Sequence, residues 1–267
     1  MKPFPLAALF SASTMICAFS GEVAPGTKQL PLPGESLVFD GHEAFLISPE
    51  TPFPGNPWVW YAPTLEGLPS KAEVWMFSRF LAKGIAIAGI DVGESYGSPD
   101  GRKTYNDYHA YLTGKRKLSA KPVLLARSRG GLMLYNWAVE KPQSVAAIAG
   151  IYPVCNIVSY PGVGRAAGAY HMTAAELEAK LGEHNPISRL APLAKAKVPL
   201  FHIHGDNDKT VPLDANSGEL MKRYKALGGP WMLETVPAGG HDMGAHWFQS
   251  QPLTDFIVAE ALAAAGR

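Results

Sequence analysis

The stretch Val123-Leu124-Leu125-Ala126-Arg127-Ser128-Arg129-Gly130-Gly131 decides the fold. An apolar run of strand length ends at a serine, and two glycines follow where a helical pattern begins. A serine in such a sharp strand-to-helix turn needs small residues two positions before and after it, because the backbone there is strained and closely packed. Ala126 and Gly130 fill these positions, although glycine is usual at the first. The pattern predicts that Ser128 is presented at the carboxyl edge of a sheet; a plain helix N-cap is the alternative.

Apolar strands alternate with helical segments on both sides of this turn. Strands are predicted at 36–39, 44–47, 58–62, 85–90, 122–126, 145–151, 198–204 and 231–236. Helices are predicted at 71–83, 105–112, 130–140, 173–181, 216–227 and 253–265. Strands without polar alternation that are separated by helices indicate a mostly parallel twisted sheet with helices on both faces. The fold class is therefore α/β.

Two segments depart from this alternation. Residues 21–35 carry proline and glycine without periodicity and predict a surface lead-in, followed by a hairpin of the first two strands at a sheet edge. Residues 152–187 contain a glycine-rich loop and a helix with Thr173 as its N-cap and Glu176 at the capping-box position. An insertion of this length between core elements is commonly a lid over a site, so we predict a short lid at 152–187.

The bulk properties predict one globular domain over residues 21–267, since 47% of the chain is hydrophobic and 18% is charged. A net charge of +1 gives no reason to expect nucleic acid as a partner. Residues 1–20 combine Lys2 with an apolar run and small residues at positions 18 and 20, which predicts a secretory signal peptide rather than a buried helix. The mature protein would then be secreted or periplasmic, with Cys155 as its one cysteine and no stable membrane insertion.

Two further segments place polar residues directly after predicted strands. The first is His204-Gly205-Asp206-Asn207-Asp208, in which either aspartate could serve a turn or orient a histidine. The second is Gly239-Gly240-His241, whose glycines allow a loop to carry the histidine back toward Ser128. His246 is the competing histidine, but it lacks the glycine setting and is predicted to belong to the following helix. The chain order Ser, Asp, His is that of the α/β-hydrolase triad.

Together these segments resemble the α/β-hydrolase superfamily, in particular its dienelactone-hydrolase and prolyl-oligopeptidase-like branches, from about residue 56 to the end. The resemblance implies an α/β-hydrolase fold and a triad of Ser128 as nucleophile, His241 as general base and Asp208 as the orienting acid, with Asp206 bracing the turn. It also implies acyl transfer through an acyl-enzyme, with the Arg129 N–H as one oxyanion donor. The second donor is expected from Ala62 or Tyr61, because Pro63 has no N–H.

The neighbours of Ser128 are the best sequence indication of the substrate. The pair Ser128-Arg129 is similar to the Ser-Arg step of glucuronoyl esterases, which implies a carboxylic-ester hydrolase acting on carbohydrate (acetyl or uronoyl) esters. Arg127 is predicted either to bind substrate or to form a buried ion pair with Asp91 or Glu94. Glu94, Tyr96 and Trp247 are further predicted substrate-binding residues. The aromatic residues near the site would either stack on sugar rings or fill the core, and they are Trp58, Trp60, Tyr61 and Trp247.

Two other functions remain open at this point. A prolyl-oligopeptidase-like peptidase would share the triad, but such enzymes typically carry a large propeller domain in addition. A non-catalytic binding protein on the same fold would more naturally have lost one of the three triad residues. No His, Cys or Glu spacing indicates a metal site and no glycine-rich phosphate loop is present, so no cofactor is expected.

Overall fold

The computed structural model describes residues 21–266, so the predicted signal peptide at 1–20 lies outside the described residues. Within this range the strands form one nine-stranded sheet in the order β1-β2-β3-β5-β4-β6-β7-β8-β9. The strands are β1 Val23–Pro25, β2 Glu35–Phe39, β3 His42–Ile47, β4 Trp58–Ala62, β5 Ala86–Ile90, β6 Val123–Arg127, β7 Ala147–Ile151, β8 Leu200–Gly205 and β9 Trp231–Val236.

The pairing of the strands confirms a mostly parallel sheet. The first three strands and the β3–β5 pair run antiparallel, and the strands from β5 through β4 to β9 are parallel neighbours. The predicted hairpin of β2 and β3 forms, but its position at the sheet edge is wrong. The short strand β1 pairs outside β2 and takes the edge, and its three residues, Val-Ala-Pro, carry no strand periodicity that the sequence could have revealed.

Helices cover both faces of the sheet, as the sequence predicted. They are α1 Val74–Ala82, α2 Pro99–Gly114, α3 Gly130–Glu140, α4 Val163–Ala166, α5 Ala174–Ala179, α6 Leu181–His184, α7 Ala191–Lys195, α8 Ser217–Ala226, α9 Ala245–Phe248 and α10 Gln251–Ala265. Buried side chains of α2, α3, α7 and α8 pack on one face. Those of α1, α9 and α10 pack on the other face. The strands β4 to β8 are therefore buried from both sides, which is why they lack polar alternation, whereas β9 is partly exposed.

The segment predicted as a lid lies between β7 and β8 and contains α4, α5 and α6. Its buried side chains form a separate apolar cluster with Tyr96, Leu132 and Val211, close to the carboxyl edge of the sheet. Thr173 caps α5, and Glu176 completes the capping box through the Thr173 N–H at 2.8 Å. Among residues 21–266, no helix has the length and apolar character needed to cross a membrane.

Candidate active site

Ser128 occupies the sharp turn between β6 and α3. Its φ of 48° lies in the left-handed region, which is costly for a residue with a Cβ. Neighbouring backbone holds this conformation, because the Ser128 N–H donates to the Ile151 carbonyl at 3.0 Å. The Ser128 carbonyl in turn accepts from the N–H groups of Gly131 at 3.0 Å and Val154 at 2.8 Å. A strained residue fixed by its surroundings in this way is typical of a functional position.

The two glycines after the serine are required by close approaches of the backbone. A Cβ on Gly130 would collide with the Ala62 carbonyl at the end of β4, and one on Gly131 would collide with the Val154 carbonyl. Helix α3 can therefore start directly against two neighbouring strand ends. The methyl group of Ala126, the departure from the usual glycine, is buried in the apolar cluster on one face of the sheet.

The structure brings Ser128, His241 and Asp208 together in one hydrogen-bonded row. Ser128 Oγ lies 2.9 Å from His241 Nε2. His241 Nδ1 lies 2.7 Å from Asp208 Oδ2. The Asp208 side chain is fully buried and the imidazole of His241 is 18% exposed, so this row runs from the protein interior to the surface. Such an arrangement can move a proton from the serine hydroxyl to a histidine oriented by a carboxylate.

Asp208 is held as a carboxylate by several donors. Its Oδ1 accepts the N–H of Thr210 at 2.9 Å and the N–H of Val211 at 2.8 Å. Burial alone would raise the pKa of Asp208, but hydrogen bonds from His204, His241 and the Val211 N–H outweigh it and hold that pKa well below its usual value. The second oxygen therefore faces His241 as a charged acceptor.

The loop that carries His241 is tied to the loop that carries Asp208. Asp206 Oδ1 accepts the Ala238 N–H at 2.7 Å, so this aspartate, predicted to brace its own turn, joins that turn to the loop after β9. Gly239 packs so closely on Gly205 that a Cβ on Gly205 would collide with the Gly239 carbonyl. His246 lies in α9, away from the hydrogen-bonded row, as the sequence suggested. The loop that carries Asp208 and the loop that carries His241 are thus held against each other.

Tyr152 supports His241 and was not singled out from the sequence. Its ring centroid lies 4.3 Å from that of His241, and its hydroxyl donates to the Asp242 carbonyl at 3.0 Å. Tyr152 follows β7 directly, at the carboxyl edge of the sheet. A polar aromatic residue immediately after a core strand was the one signal that could have identified it.

The predicted oxyanion donors lie around the turn of Ser128. Arg129 precedes the first residue of α3, so its N–H belongs to a helix N-terminus. Ala62 is the last residue of β4, and its carbonyl lies against the start of α3. The predicted Tyr61 donor is its backbone N–H, and its side chain has a separate role: the hydroxyl donates to Glu73 Oε1 at 2.8 Å in a fully buried position.

Arg127 is placed in a buried ion pair, which corrects its prediction as a substrate-binding residue. Its Nη1 lies 2.7 Å from Glu73 Oε1, so the partner is Glu73 and not Asp91 or Glu94. Glu73 ends a short 3₁₀ helix, Lys71–Glu73, and its other oxygen accepts the Ser70 N–H at 2.8 Å. The guanidinium is 12% exposed and the carboxylate 2% exposed. Arg127 therefore braces the end of β6 from the face opposite α3.

Removing the charge of Glu73 should destabilise the protein strongly. We expect Glu73→Gln to lower the free energy of unfolding by about 3 kcal/mol, because the guanidinium of Arg127 stays buried without a charged partner. Urea unfolding of the variant beside the double variant Glu73→Leu/Arg127→Met measures this. The double variant should recover part of the loss, because both charges are then gone although the Tyr61 hydroxyl loses its acceptor. A loss in Glu73→Gln of well under 1 kcal/mol would mean that the pair contributes nothing.

Arg129 and Glu94 form an exposed ion pair beside Ser128. The Arg129 Nη1 contacts Glu94 Oε1, and both side chains are about one-third exposed or more. The Arg129 guanidinium carbon also lies 5.9 Å from the centroid of the Tyr160 ring, which comes from the predicted lid. Tyr96 lies nearby and is largely buried, and burial followed by the charge of Glu94 raises its pKa. These four residues form a polar and aromatic rim, which we call the Arg129 rim.

Trp247 is fully buried, so its prediction as a substrate-binding residue is wrong. Its indole N–H donates to Asp242 Oδ1 at 2.9 Å, and its ring packs on Tyr152 with centroids 5.2 Å apart. Trp247 therefore supports the loop that carries His241 from the interior of the protein. The other aromatic residues considered for sugar stacking, Trp58, Trp60 and Tyr61, are fully buried as well and belong to the core. In residues 21–266, no group of three or more His, Cys, Asp or Glu side chains is placed to hold a metal ion.

This fold and this row of side chains define a serine hydrolase of the α/β-hydrolase superfamily. The family model of the prolyl oligopeptidase family matches residues 99–259, a range that includes the serine, aspartate and histidine of the row. The chain therefore belongs to the prolyl oligopeptidase family. No protein with a curated functional description matches it in sequence.

Solved structures agree on the fold. A dipeptidyl aminopeptidase IV of Bacteroides ovatus, itself described as putative, superposes with a TM-score of 0.67 at 16% identity, over 90% of this chain and 36% of that one. MPT51 of Mycobacterium tuberculosis gives 0.67 at 15% identity over 86% of this chain and 99% of that one. Est1E of Butyrivibrio proteoclasticus gives 0.60 at 17% identity over 86% and 99%. The chain thus spans little more than a third of the peptidase but nearly all of the two smaller proteins.

Proposed function

We propose that this protein hydrolyses carboxylic esters through an acyl-enzyme, with Ser128 as nucleophile, His241 as general base and Asp208 as the acid that orients it. The observation that carries the proposal is the continuous row from Ser128 Oγ to His241 at 2.9 Å and from His241 to Asp208 at 2.7 Å. The strained turn supports it, because it fixes the serine at the carboxyl edge of the sheet.

In this mechanism His241 Nε2 takes the Ser128 proton while Oγ attacks the ester carbonyl. The negative charge that develops on the carbonyl oxygen is stabilised by the Arg129 N–H, and we assign the second donor to the backbone of Ala62. The proton on Nε2 then passes to the leaving alcohol as the C–O bond breaks and the acyl-enzyme forms. A water molecule, deprotonated by His241, attacks the acyl-enzyme and releases the acid and the serine.

The proposed substrate class is a carbohydrate ester, acetyl or uronoyl. Its support is the Arg129 rim, where the guanidinium of the residue after the nucleophile, a carboxylate and the Tyr160 ring offer donors and an acceptor for hydroxyl groups and a stacking surface for a sugar ring. The burial of Trp247, Trp58 and Trp60 removes the other support for sugar stacking. The rim is therefore the basis for this substrate proposal.

Peptide hydrolysis is the second candidate function. It is supported by membership of the prolyl oligopeptidase family over residues 99–259, and by the peptidases among the similar structures. The same acyl-transfer steps apply to an amide, with the leaving amine in place of the alcohol. Est1E, whose name does not describe a peptidase, is matched over nearly its whole length. The similar structures therefore do not favour the peptide proposal over the ester proposal.

A fluorophosphonate probe tests the nucleophile and a substrate panel ranks the two candidates. We expect covalent labelling of the wild-type protein and complete loss of labelling in Ser128→Ala, because the hydroxyl that attacks phosphorus is gone. Ser159→Ala is the matched control, since that hydroxyl donates to the Asn156 carbonyl and lies outside the row. Turnover of p-nitrophenyl acetate, an acetylated xylose or a glucuronoyl methyl ester supports the ester proposal. Turnover of Gly-Pro-p-nitroanilide alone would replace it by the peptidase proposal.

We further propose export through a signal peptide at residues 1–20. The support is the sequence pattern of Lys2, the apolar run and the small residues before Gly21. Mass spectrometry of the protein recovered from the periplasm or medium is the test. A mature chain that begins at Gly21 supports export, and an intact N-terminus in the cytosolic fraction contradicts it.

A further inference from the structure

A second row of polar side chains lies beneath Asp208, inside the protein. The Tyr135 hydroxyl is 2.7 Å from His202 Nε2, and His202 Nδ1 is 2.9 Å from Ser217 Oγ. The same Ser217 Oγ is 2.8 Å from His204 Nδ1. His204 Nε2 then lies 2.8 Å from the Val211 carbonyl. The side chains of Tyr135, His202, Ser217 and His204 are all fully buried, so every hydrogen in this row must be used within it.

The carbonyl of Val211 decides where the protons lie. A carbonyl only accepts, so His204 Nε2 must carry a hydrogen, and the neutral ring then has Nδ1 as an acceptor. Ser217 has one hydroxyl hydrogen, which it donates to His204 Nδ1. Its oxygen must accept from His202 Nδ1–H, and His202 Nε2 is left to accept from the Tyr135 hydroxyl. The direction of all four hydrogen bonds follows from this one acceptor.

The opposite direction is chemically poorer. If Ser217 donated to His202 instead, His204 would need hydrogens on both nitrogens and would be a buried cation. The Tyr135 hydroxyl would then face a donor and lose its acceptor. Burial lowers the pKa of His202 to about 3, and burial also raises the pKa of Tyr135. His202 is therefore neutral and the phenol keeps the hydrogen it donates.

We propose that His204 is a positioning residue of the triad acid, fixed as the Nε2–H tautomer by the row of Tyr135, His202 and Ser217. His204 Nε2 is also 3.5 Å from Asp208 Oδ2, the oxygen that faces His241. It further holds the carbonyl of Val211, whose N–H donates to Asp208 Oδ1 at 2.8 Å. The imidazole N–H thus lies near Asp208 Oδ2 at 3.5 Å and fixes Asp208 through the backbone of its loop.

The row also connects two helices to the site. Tyr135 lies in α3, the helix that starts beside Ser128, and Ser217 is the first residue of α8, after the Asp208 loop. Displacement of either helix would change the row and so the position of Asp208. The catalytic part of this inference rests on the proposed function, whereas the tautomers of the two histidines do not depend on it.

The tautomers can be measured directly in the intact protein. Long-range ¹H–¹⁵N correlation spectra of histidine distinguish Nδ1–H, Nε2–H and the cation, and His202→Gln and His204→Gln assign the two rings. We expect His204 as Nε2–H and His202 as Nδ1–H at neutral pH. The reverse tautomers, or a doubly protonated His204, would overturn the proposed row.

A matched pair of substitutions tests the positioning role. In His204→Gln the side-chain amide nitrogen reaches the place of Nε2 and keeps a donor for Val211 and Asp208, whereas in His204→Asn the shorter amide does not reach it. We expect His204→Asn to lower kcat about 10-fold with KM unchanged, as for loss of one hydrogen bond to a charged group. His204→Gln should keep most of the wild-type kcat. Equal losses in both variants would show that His204 serves folding alone and would overturn the proposal.

The two proposals fail in different ways. If the wild-type protein does not react with a fluorophosphonate probe, the proposed function fails, while the tautomers still test the buried row. If the probe labels Ser128 but the two His204 variants lose kcat equally, the proposed function stands and the positioning role is lost.

Discussion

Replacement of His241 by alanine is expected to lower kcat by about 10⁶-fold, the size of effect that loss of a triad base has in other serine hydrolases. The reason is the 2.9 Å contact between Ser128 Oγ and His241 Nε2, through which the serine loses its proton. No second base is in contact with Ser128 Oγ among the hydrogen bonds of residues 21–266. The measurement is the initial rate of p-nitrophenyl acetate hydrolysis by both proteins, with the fluorophosphonate labelling rate as an independent readout.

The fold should survive this substitution. Asp208 keeps the N–H groups of Thr210 and Val211 and the nearby N–H of His204, so its buried carboxylate still has donors. His246→Ala is the matched control, since this histidine lies five residues on, in α9, and packs on Trp247. Its kcat should stay near that of the wild type. A large loss in His246→Ala with little loss in His241→Ala would exchange the roles of the two histidines.

The order of the core elements could be predicted from the sequence largely because the strands β4 to β8 are buried on both faces and so are apolar runs. Residues 58–62 and 231–236 were predicted with the bounds that the structure has, and so was the helix at 130–140. The edge strand β1 could not be predicted, because its three residues are exposed and are held by pairing with β2 and not by an apolar pattern. An apolar pattern in the sequence indicates a buried strand, and the residues of β1 are exposed.

The triad segments were visible in sequence because each combines a strand end with glycines and one reactive side chain. The partners of those segments were not visible, because they come from distant parts of the chain. Glu73 lies 54 residues before Arg127, and its short 3₁₀ helix reaches the opposite face of β6. Trp247 was predicted to bind substrate, whereas its close packing on Tyr152 buries it. Such contacts depend on tertiary structure, which no single segment encodes.

Asp208→Asn is expected to lower kcat by about 10⁴-fold without unfolding the protein, by analogy with the same change in other serine triads. Two backbone N–H groups point at the Oδ1 position, so the one oxygen of an asparagine must stay there. Its NH₂ group then takes the Oδ2 position and donates to His241 Nδ1. That bond requires the hydrogen of the imidazole to be on Nε2, where it blocks acceptance of the Ser128 proton.

The activity lost in Asp208→Asn would come from the tautomer of His241 and not from loss of a polar group, because asparagine keeps a polar group at this position. Asp206→Asn is the matched control, because its one acceptor role, toward the Ala238 N–H at 2.7 Å, is kept by an amide oxygen. We therefore expect Asp206→Asn to stay close to the wild-type kcat, measured with p-nitrophenyl acetate at neutral pH. If Asp206→Asn is the variant that loses activity and Asp208→Asn retains it, the acid of the triad is Asp206. The assignment of Asp208 rests on the 2.7 Å contact of its Oδ2 with His241 Nδ1, whereas Asp206 Oδ1 accepts the Ala238 N–H.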